Sequence, residues 1–132
     1  MTKGSKYEDG RKIKDIAVLI RKDIKEAQKI GYIEAGIDVR VRSVCQSGKN
    51  YIDIELVNVP YGFRVFTTNP YEFRKKTTRM QGVLDKLSAI VNAYKLNIDC
   101  ECESNFYSYV GIDPILERAI KDKEAVMLQE IK

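Results

Sequence analysis

The sequence contains no histidine and no tryptophan, and only three cysteines and three prolines among its 132 residues. Without histidine, the chain cannot form a Ser/His/Asp or Cys/His nucleophile pair, use a histidine general base or build a histidine-containing metal site. Three thiols cannot by themselves complete a four-ligand zinc site. These absences favour a binding protein over an enzyme, and we expect no metal and no cofactor.

Long apolar runs are also missing from the chain. No stretch approaches the ~18 apolar residues that a membrane helix needs, and the N-terminus is charged and polar rather than a signal sequence. Cys100 and Cys102 are too close for an ordinary disulfide and lack CxxC spacing, so we expect all three thiols, Cys45 included, to be reduced. The sequence therefore predicts a cytoplasmic protein without a membrane partner.

The length suits one domain, and the composition is that of a globular protein, with 44% hydrophobic and 32% charged residues. We expect a flexible N-terminal segment over 1–11, because that stretch is polar and carries no apolar periodicity. The remaining residues, 12–132, are predicted to form a single domain.

Three segments have the apolar spacing of amphipathic helices. The first covers Lys12–Ile30 and is followed by a glycine suited to a C-terminal cap. The second begins at Thr77 or Thr78, whose hydroxyl can cap it, and has a wide apolar face. The third begins at Asp113 and Pro114, with Asp as the cap and Pro at the first helical position.

Apolar and polar residues alternate in further segments, which predicts strands. The first two strands cover 37–42 and 52–56 with a turn around Gly48 between them, and the third covers 98–106. Phe63–Thr67 is a candidate fourth strand before the second helix. The order of these segments predicts an α+β fold, α-β-β-(β)-α-β-α, in which helices pack on one face of a small, mainly antiparallel sheet.

Parity gives the register of the hairpin. In an antiparallel hairpin, the residue numbers of every pair add up to the same value. The inward residues are odd-numbered on the first strand and even-numbered on the second, so this value is odd, and a short loop makes it about 95. This register places Arg42 opposite Asp53 and Arg40 opposite Glu55. We expect these cross-strand charge pairs to make the two arginines structural residues rather than phosphate ligands.

Basic charge is concentrated in the long connection before the second helix. Residues 61–79 hold five cations and one carboxylate, so this segment alone has the same net charge, +4, as the whole chain. Aromatic residues lie between its cations. Cations can contact phosphates and rings can stack on bases, or both can anchor a protein interface. The predicted partner- or nucleic-acid-binding residues are Arg64, Phe66, Tyr71, Phe73, Arg74, Lys75, Lys76 and Arg79. Alternatively, the phenylalanines pin the loop to the core and the cations are merely solvated.

A second candidate surface is acidic. Carboxylates occupy the outward positions of the second and third predicted strands: Asp53, Glu55, Asp99, Glu101 and Glu103. If these strands are neighbours, the patch could bind a divalent cation or mimic a nucleic-acid backbone. The alternative is a solvated sheet face, and no catalytic residue is assigned to it.

Five phrases of the sequence suggest a family. They are TKGSKY, IAVLIRKDIKEA, VRVRSVCQSGKNYIDIEL, LDKLSAIVNAY and SNFYSYVGID, which together span most of the chain. In these phrases the chain resembles the uncharacterised large polyvalent protein-associated domains of phages and conjugative elements. The resemblance implies a mobile-element origin and no known enzymatic activity, and it transfers no functional residue.

We therefore expect a non-enzymatic phage or mobile-element protein that binds a host or phage nucleoprotein complex, such as a counter-defence inhibitor of the anti-CRISPR kind. The alternative is an accessory module that contacts DNA or RNA directly through the basic aromatic loop. The sequence leaves open whether the protein is a monomer or a homodimer, because the apolar stripe of the last helix is interrupted.

Overall fold

The computed structural model describes residues 3–60, 62–67, 75–100 and 104–130. For residues 123–130 it describes the backbone alone. The elements in chain order are α1 (Ile13–Lys29), β1 (Asp38–Gln46), β2 (Lys49–Asn58), α2 (Thr78–Asn92), β3 (Tyr107–Ile112) and α3 (Pro114–Glu130). This order confirms the predicted α+β fold. None of the helices in the described ranges is long and apolar enough to cross a membrane.

The three strands form one sheet in the order β1-β2-β3. β1 and β2 pair antiparallel, whereas β2 and β3 pair parallel. The sheet is therefore mixed rather than purely antiparallel. The parallel pairing arises because the connection from β2 to β3 contains α2, which carries the chain back to the end of the sheet where β2 began.

The hairpin has the register that parity predicted. Arg40 pairs with Glu55 and Arg42 pairs with Asp53. Ser47 and Gly48, with φ values of 54° and 75°, are the two residues between the strands. Two successive positive φ values are typical of the tight type I′ turn, whose twist matches that of the strands and fixes their register.

The third strand lies farther along the chain than predicted. The described parts of 98–106 are not in a strand, and β3 begins at Tyr107. Asparagine side chains satisfy backbone groups before β3: Asn105 accepts from the Leu96 N–H at 2.9 Å and donates to the Tyr94 carbonyl at 3.1 Å. These hydrogen bonds tie Asn105 to the segment that follows α2, which the alternating apolar pattern alone does not reveal.

The candidate fourth strand is also absent from the described part of its connection. Phe66 and Lys76 form an isolated bridge, supported by the Thr67 N–H donating to the Lys75 carbonyl at 2.8 Å. Thr77 then accepts from the Met80 N–H at 3.1 Å and caps α2.

α1 contacts β1, β2 and α2, while α2 also contacts β3, so these two helices cover one face of the sheet. Residues of both helices and all three strands belong to one core cluster. Its fully buried members include Ile20, Ile52, Ile54, Leu56, Met80, Leu87 and Val91. The even-numbered side chains of β2 therefore point to the helices, and its odd-numbered side chains lie on the opposite face.

The N-terminal segment contacts the end of α2. The Gly4 N–H donates to the Lys95 carbonyl at 2.8 Å and the Lys6 N–H to the Ala93 carbonyl at 2.7 Å. A Cβ on Gly4 would lie 2.2 Å from a carbonyl oxygen of α2, so a larger residue does not fit there. The expected flexible segment 1–11 is thus hydrogen-bonded to the domain at these positions.

Candidate functional site

The structure describes five of the eight basic-loop candidates, and two of these five are structural. Phe66 is only 4% exposed and belongs to the core. Arg79 donates to both carboxylate oxygens of Glu34, at 2.7 and 2.6 Å, and its guanidinium lies 4.3 Å from the centre of the Phe63 ring. The hydrogen bonds with Glu34 raise the pKa of Arg79.

The other loop candidates are spread over the connection. Arg64 and Lys75 are exposed, and Lys76 is half-buried in the bridge to Phe66. Tyr71, Phe73 and Arg74 lie outside the described residues. For its described part, the loop fits the alternative interpretation, in which phenylalanines hold the connection against the core.

The predicted acidic face does not form from its described members. Glu55 is 7% exposed, and Asp53 lies on β2 beside Tyr109 of β3 rather than beside Asp99. Asp99 is exposed but lies outside any strand, because β3 begins later than predicted. Two further members, Glu101 and Glu103, lie outside the described residues. Across the described ranges, no group of three Cys, Asp or Glu side chains could hold a metal ion.

An ion-pair network replaces the acidic patch. Arg40 and Arg42 both donate to Glu55, at 3.0 and 2.6 Å, although Arg42 stands opposite Asp53 in the register. Arg40 also donates to Asp113 at 2.8 Å. These hydrogen bonds raise the pKa of Arg40. The network therefore ties both strands of the hairpin to the start of α3, as expected for structural arginines.

Asp113 has a second role in this network, because its other carboxylate oxygen accepts from the Leu116 N–H at 3.3 Å and caps α3. Burial raises the pKa of Asp113, but the hydrogen bonds from Arg40 and from backbone N–H groups of α3 outweigh burial and lower it overall. The carboxylate is thus held in its charged form.

The face of the sheet opposite the helices carries a cluster of tyrosines that the sequence analysis did not select. Tyr51 and Tyr107 are register partners on β2 and β3, and their rings stack with centroids 5.3 Å apart and planes 24° apart. Tyr109, two residues along β3, lies on the same face and is 53% exposed. We call Tyr51, Tyr107 and Tyr109 the tyrosine face.

The position of the Tyr109 ring depends on a glycine. A Cβ built on Gly111 would lie 2.3 Å from Oη and 2.6 Å from Cζ of Tyr109, so the ring occupies the space above Gly111. Because the next outward position of β3 has no side chain, this ring can lie along the strand and still leave half of its surface exposed to solvent.

The same face of the sheet also carries charged side chains. The Lys49 ammonium lies 5.6 Å from the centre of the Tyr107 ring, and the Arg42 side chain remains 54% exposed despite its bond to Glu55. Asp53 is a half-buried carboxylate of β2, in register with Tyr109 on β3 and with Arg42 on β1. The face therefore exposes aromatic surface beside charges of both signs, and it is not a strongly positive surface.

A signal for the tyrosine face was present in the sequence. Tyr107, Tyr109 and Gly111 alternate with Ser108 and Val110, which is the period of a strand. The third strand was predicted to end at Phe106, one residue before this alternation begins. The pairing of Tyr107 with Tyr51 depends on the parallel ladder, which the sequence did not predict.

Searches of protein-family models, of curated proteins and of solved structures found no match to this chain. The resemblance to the large polyvalent protein-associated domains therefore stays a prediction from the sequence. Functional assignment depends on the geometry of the sheet.

Proposed function

We propose that the chain is a non-enzymatic interaction protein that binds a nucleoprotein partner through its tyrosine face. The observation that carries this proposal is the stacked pair Tyr51–Tyr107 with the exposed ring of Tyr109 beside it. Clustered aromatic rings on a surface are typical of interaction sites, and Tyr is among the residues that dominate binding energy. Rings fixed on strands also lose little conformational entropy on binding.

The tyrosine face is preferred over the basic loop because two of the five described loop candidates are committed to the fold. Arg79 pairs with Glu34, and Phe66 is buried. Tyr109, in contrast, has more than half of its surface available for a partner.

The resemblance to mobile-element domains supports the choice of partner class. On this proposal, the partner is a host or phage nucleoprotein complex, and binding blocks or redirects that complex, as in a counter-defence inhibitor. The alternative of direct nucleic-acid binding through the basic loop has no supporting contact among the described residues.

The proposal can be tested by affinity capture from a bacterial lysate, with and without nuclease, followed by quantitative mass spectrometry. We would compare the wild-type protein with Tyr109→Ala and with the matched control Tyr32→Ala. Tyr32 is 49% exposed and contacts Lys86 of α2, on the helical side of the molecule. Circular dichroism and thermal melting would establish that all three proteins are folded.

We expect the same specific components to be recovered by the wild type and by Tyr32→Ala, and lost with Tyr109→Ala. Equal recovery by all three proteins would remove the tyrosine face from the proposal. Recovery of no specific component by the wild type would overturn the proposed function itself.

A further inference from the structure

The outward side of α1 carries a row of lysines. Because an α-helix turns by about 100° per residue, five residues of α1 fall within an arc of about 80°. They are Lys14, Val18, Lys22, Lys25 and Lys29, and all five are exposed. At a rise of about 1.5 Å per residue, the row is about 22 Å long. We call its four lysines the α1 lysine row.

The α1 lysine row is not neutralised by carboxylates. Within the described residues, none of its four ammonium groups forms an ion pair or a hydrogen bond. The carboxylates of α1 all lie outside the arc. Asp23 pairs with Lys6 at 2.9 Å, and Asp15 and Glu26 lie about 20° and 40° beyond Lys22. The charge of the row is therefore available to a partner.

The row points away from the sheet. The buried residues of α1, which include Ile16, Ile20 and Ile24, belong to the core between the helices and the sheet. Their arc is centred about 160° from the centre of the row. Arg21, beside the row, donates to the Val41 carbonyl at 2.7 Å and so holds α1 against β1. The row and the tyrosine face thus lie on opposite sides of the molecule.

We infer that the α1 lysine row binds the phosphate backbone of double-stranded nucleic acid without reading its base sequence. Lysine is depleted at protein–protein interfaces, whose cores are apolar, whereas interfaces with nucleic acid are strongly positive. Val18 is the single apolar residue of the arc, so the row lacks such a core. The inference goes beyond the proposed function and does not rest on it, because the two surfaces are separate.

The composition of the arc favours a duplex over a single strand. Proteins that bind single strands stack the bases on aromatic side chains, and the arc contains none. A duplex carries one negative charge for about every 1.7 Å of its axis, so a straight row of cations on a rigid helix contacts several phosphates at once. A lipid surface fits less well, because the apolar side of α1 is buried in the core and cannot enter a bilayer.

The test measures the fluorescence anisotropy of labelled duplexes of about 20 base pairs, longer than the row, at about 50 and 200 mM salt. Two unrelated sequences should bind within about twofold of each other, since phosphate contacts carry no sequence information. Four phosphate contacts predict a slope of about −3.6 in log affinity against log salt, which is a loss of about 150-fold between the two salt concentrations. Duplexes of DNA and of RNA would be compared, and the tighter one identifies the source of the phosphates.

Variants separate the row from the net charge of the protein. Lys25→Gln should reduce the salt slope by about 0.9, and replacing all four lysines of the row with glutamine should remove binding. Arg118→Gln removes the same charge from an exposed position of α3 and should leave the slope unchanged. Glu26→Gln removes a carboxylate beside the row and should tighten binding by about 1.5- to 5-fold. Circular dichroism and thermal melting would establish that each variant is folded.

The inference is overturned if no duplex binds at the lower salt, if the fourfold variant binds like wild type, or if Arg118→Gln lowers the slope as much as Lys25→Gln. Tighter binding to single strands, or binding only to vesicles that contain phosphatidylserine, also overturns it.

Tyr109→Ala keeps this inference apart from the proposed function, because it should bind duplexes like wild type. If duplexes fail to bind while lysate capture depends on Tyr109, only this inference falls. If capture is independent of Tyr109 while duplex binding depends on the α1 lysine row, only the proposed function falls.

Discussion

Tyr51 and Tyr107 stack on one another across a parallel ladder, with ring centroids 5.3 Å apart. The two residues come from distant parts of the chain and meet only because α2 returns the backbone to the same end of the sheet. Each ring therefore limits the motion of the other. The Tyr107 ring on β3 is therefore held in place by a residue of a different strand, Tyr51 of β2.

Replacing Tyr51 tests this dependence. We expect Tyr51→Ala to destabilise the domain by at least about 0.5–1.5 kcal/mol, the usual energy of an aromatic pair beyond its buried area. It should also weaken capture of the partner from a lysate, since the Tyr107 ring loses its support. Urea unfolding and affinity capture would measure the two effects. Tyr51→Phe keeps the stack and should behave like wild type, and an equal loss in both variants would contradict this role.

Gly111→Ala tests how Tyr109 is positioned. The added methyl group would occupy the space now filled by the end of the Tyr109 ring, which is the far end of a rotatable side chain. We expect the fold to persist and the ring to move, so binding should weaken while the melting temperature stays close to that of the wild type.

The matched control for Gly111→Ala is Gly82→Ala in the interior of α2. A Cβ on Gly82 would meet nothing within 4 Å. This variant should be more stable by about 0.5–1 kcal/mol, as expected for alanine in a helix, and should bind like wild type. Unchanged binding in Gly111→Ala would show that the position of the ring above this glycine is immaterial.

Asp113 should make stability depend on acid pH. Its pKa in the folded protein lies below the ordinary 3.8, so its contribution is present above that pH and is lost as the pH falls through the lowered value. We expect Asp113→Asn to be less stable than wild type at neutral pH, with the difference disappearing in strong acid. Denaturant unfolding across this pH range measures it.

The exposed Asp122 of α3 provides a control for that experiment, as Asp122→Asn removes a carboxylate without breaking the network with Arg40. It should unfold like wild type at neutral pH. A stability difference for Asp113→Asn that is independent of pH would mean that loss of the charged carboxylate is not its cause.

Arg79→Lys tests whether this loop residue is structural. Lysine keeps the charge but cannot donate two parallel hydrogen bonds to Glu34 or stack its head group on the Phe63 ring. We expect lower thermal stability and unchanged capture of the partner from a lysate. Arg64→Lys, at an exposed position of the same connection, is the control and should change neither. Weaker binding by Arg79→Lys, measured at a temperature where the variant is fully folded, would indicate that the loop takes part in binding.

The features that follow from local rules could be predicted from the sequence. Helix α2 begins at the expected threonine cap, and the β1–β2 register follows from parity and a two-residue turn. Features that depend on distant residues could not. Arg42 is the register partner of Asp53 but donates to Glu55, because its long side chain reaches the diagonal neighbour on β2.

The candidate site shows the same limit. The position of β3 depends on side-chain hydrogen bonds of Asn105 that are visible only once the end of α2 lies beside it. The tyrosine face then requires both the parallel direction of β3 and an empty position above Gly111. Neither is contained in the pattern of any single segment.

The mixed sheet also sets an order of assembly. The β1–β2 hairpin closes through a two-residue turn and involves only neighbouring parts of the chain, so it can form early in folding. The β2–β3 ladder must wait until the whole crossover through α2 has closed a long loop, which costs more chain entropy. Since the stacked tyrosines lie across that ladder, the proposed binding surface requires the costlier of the two pairings.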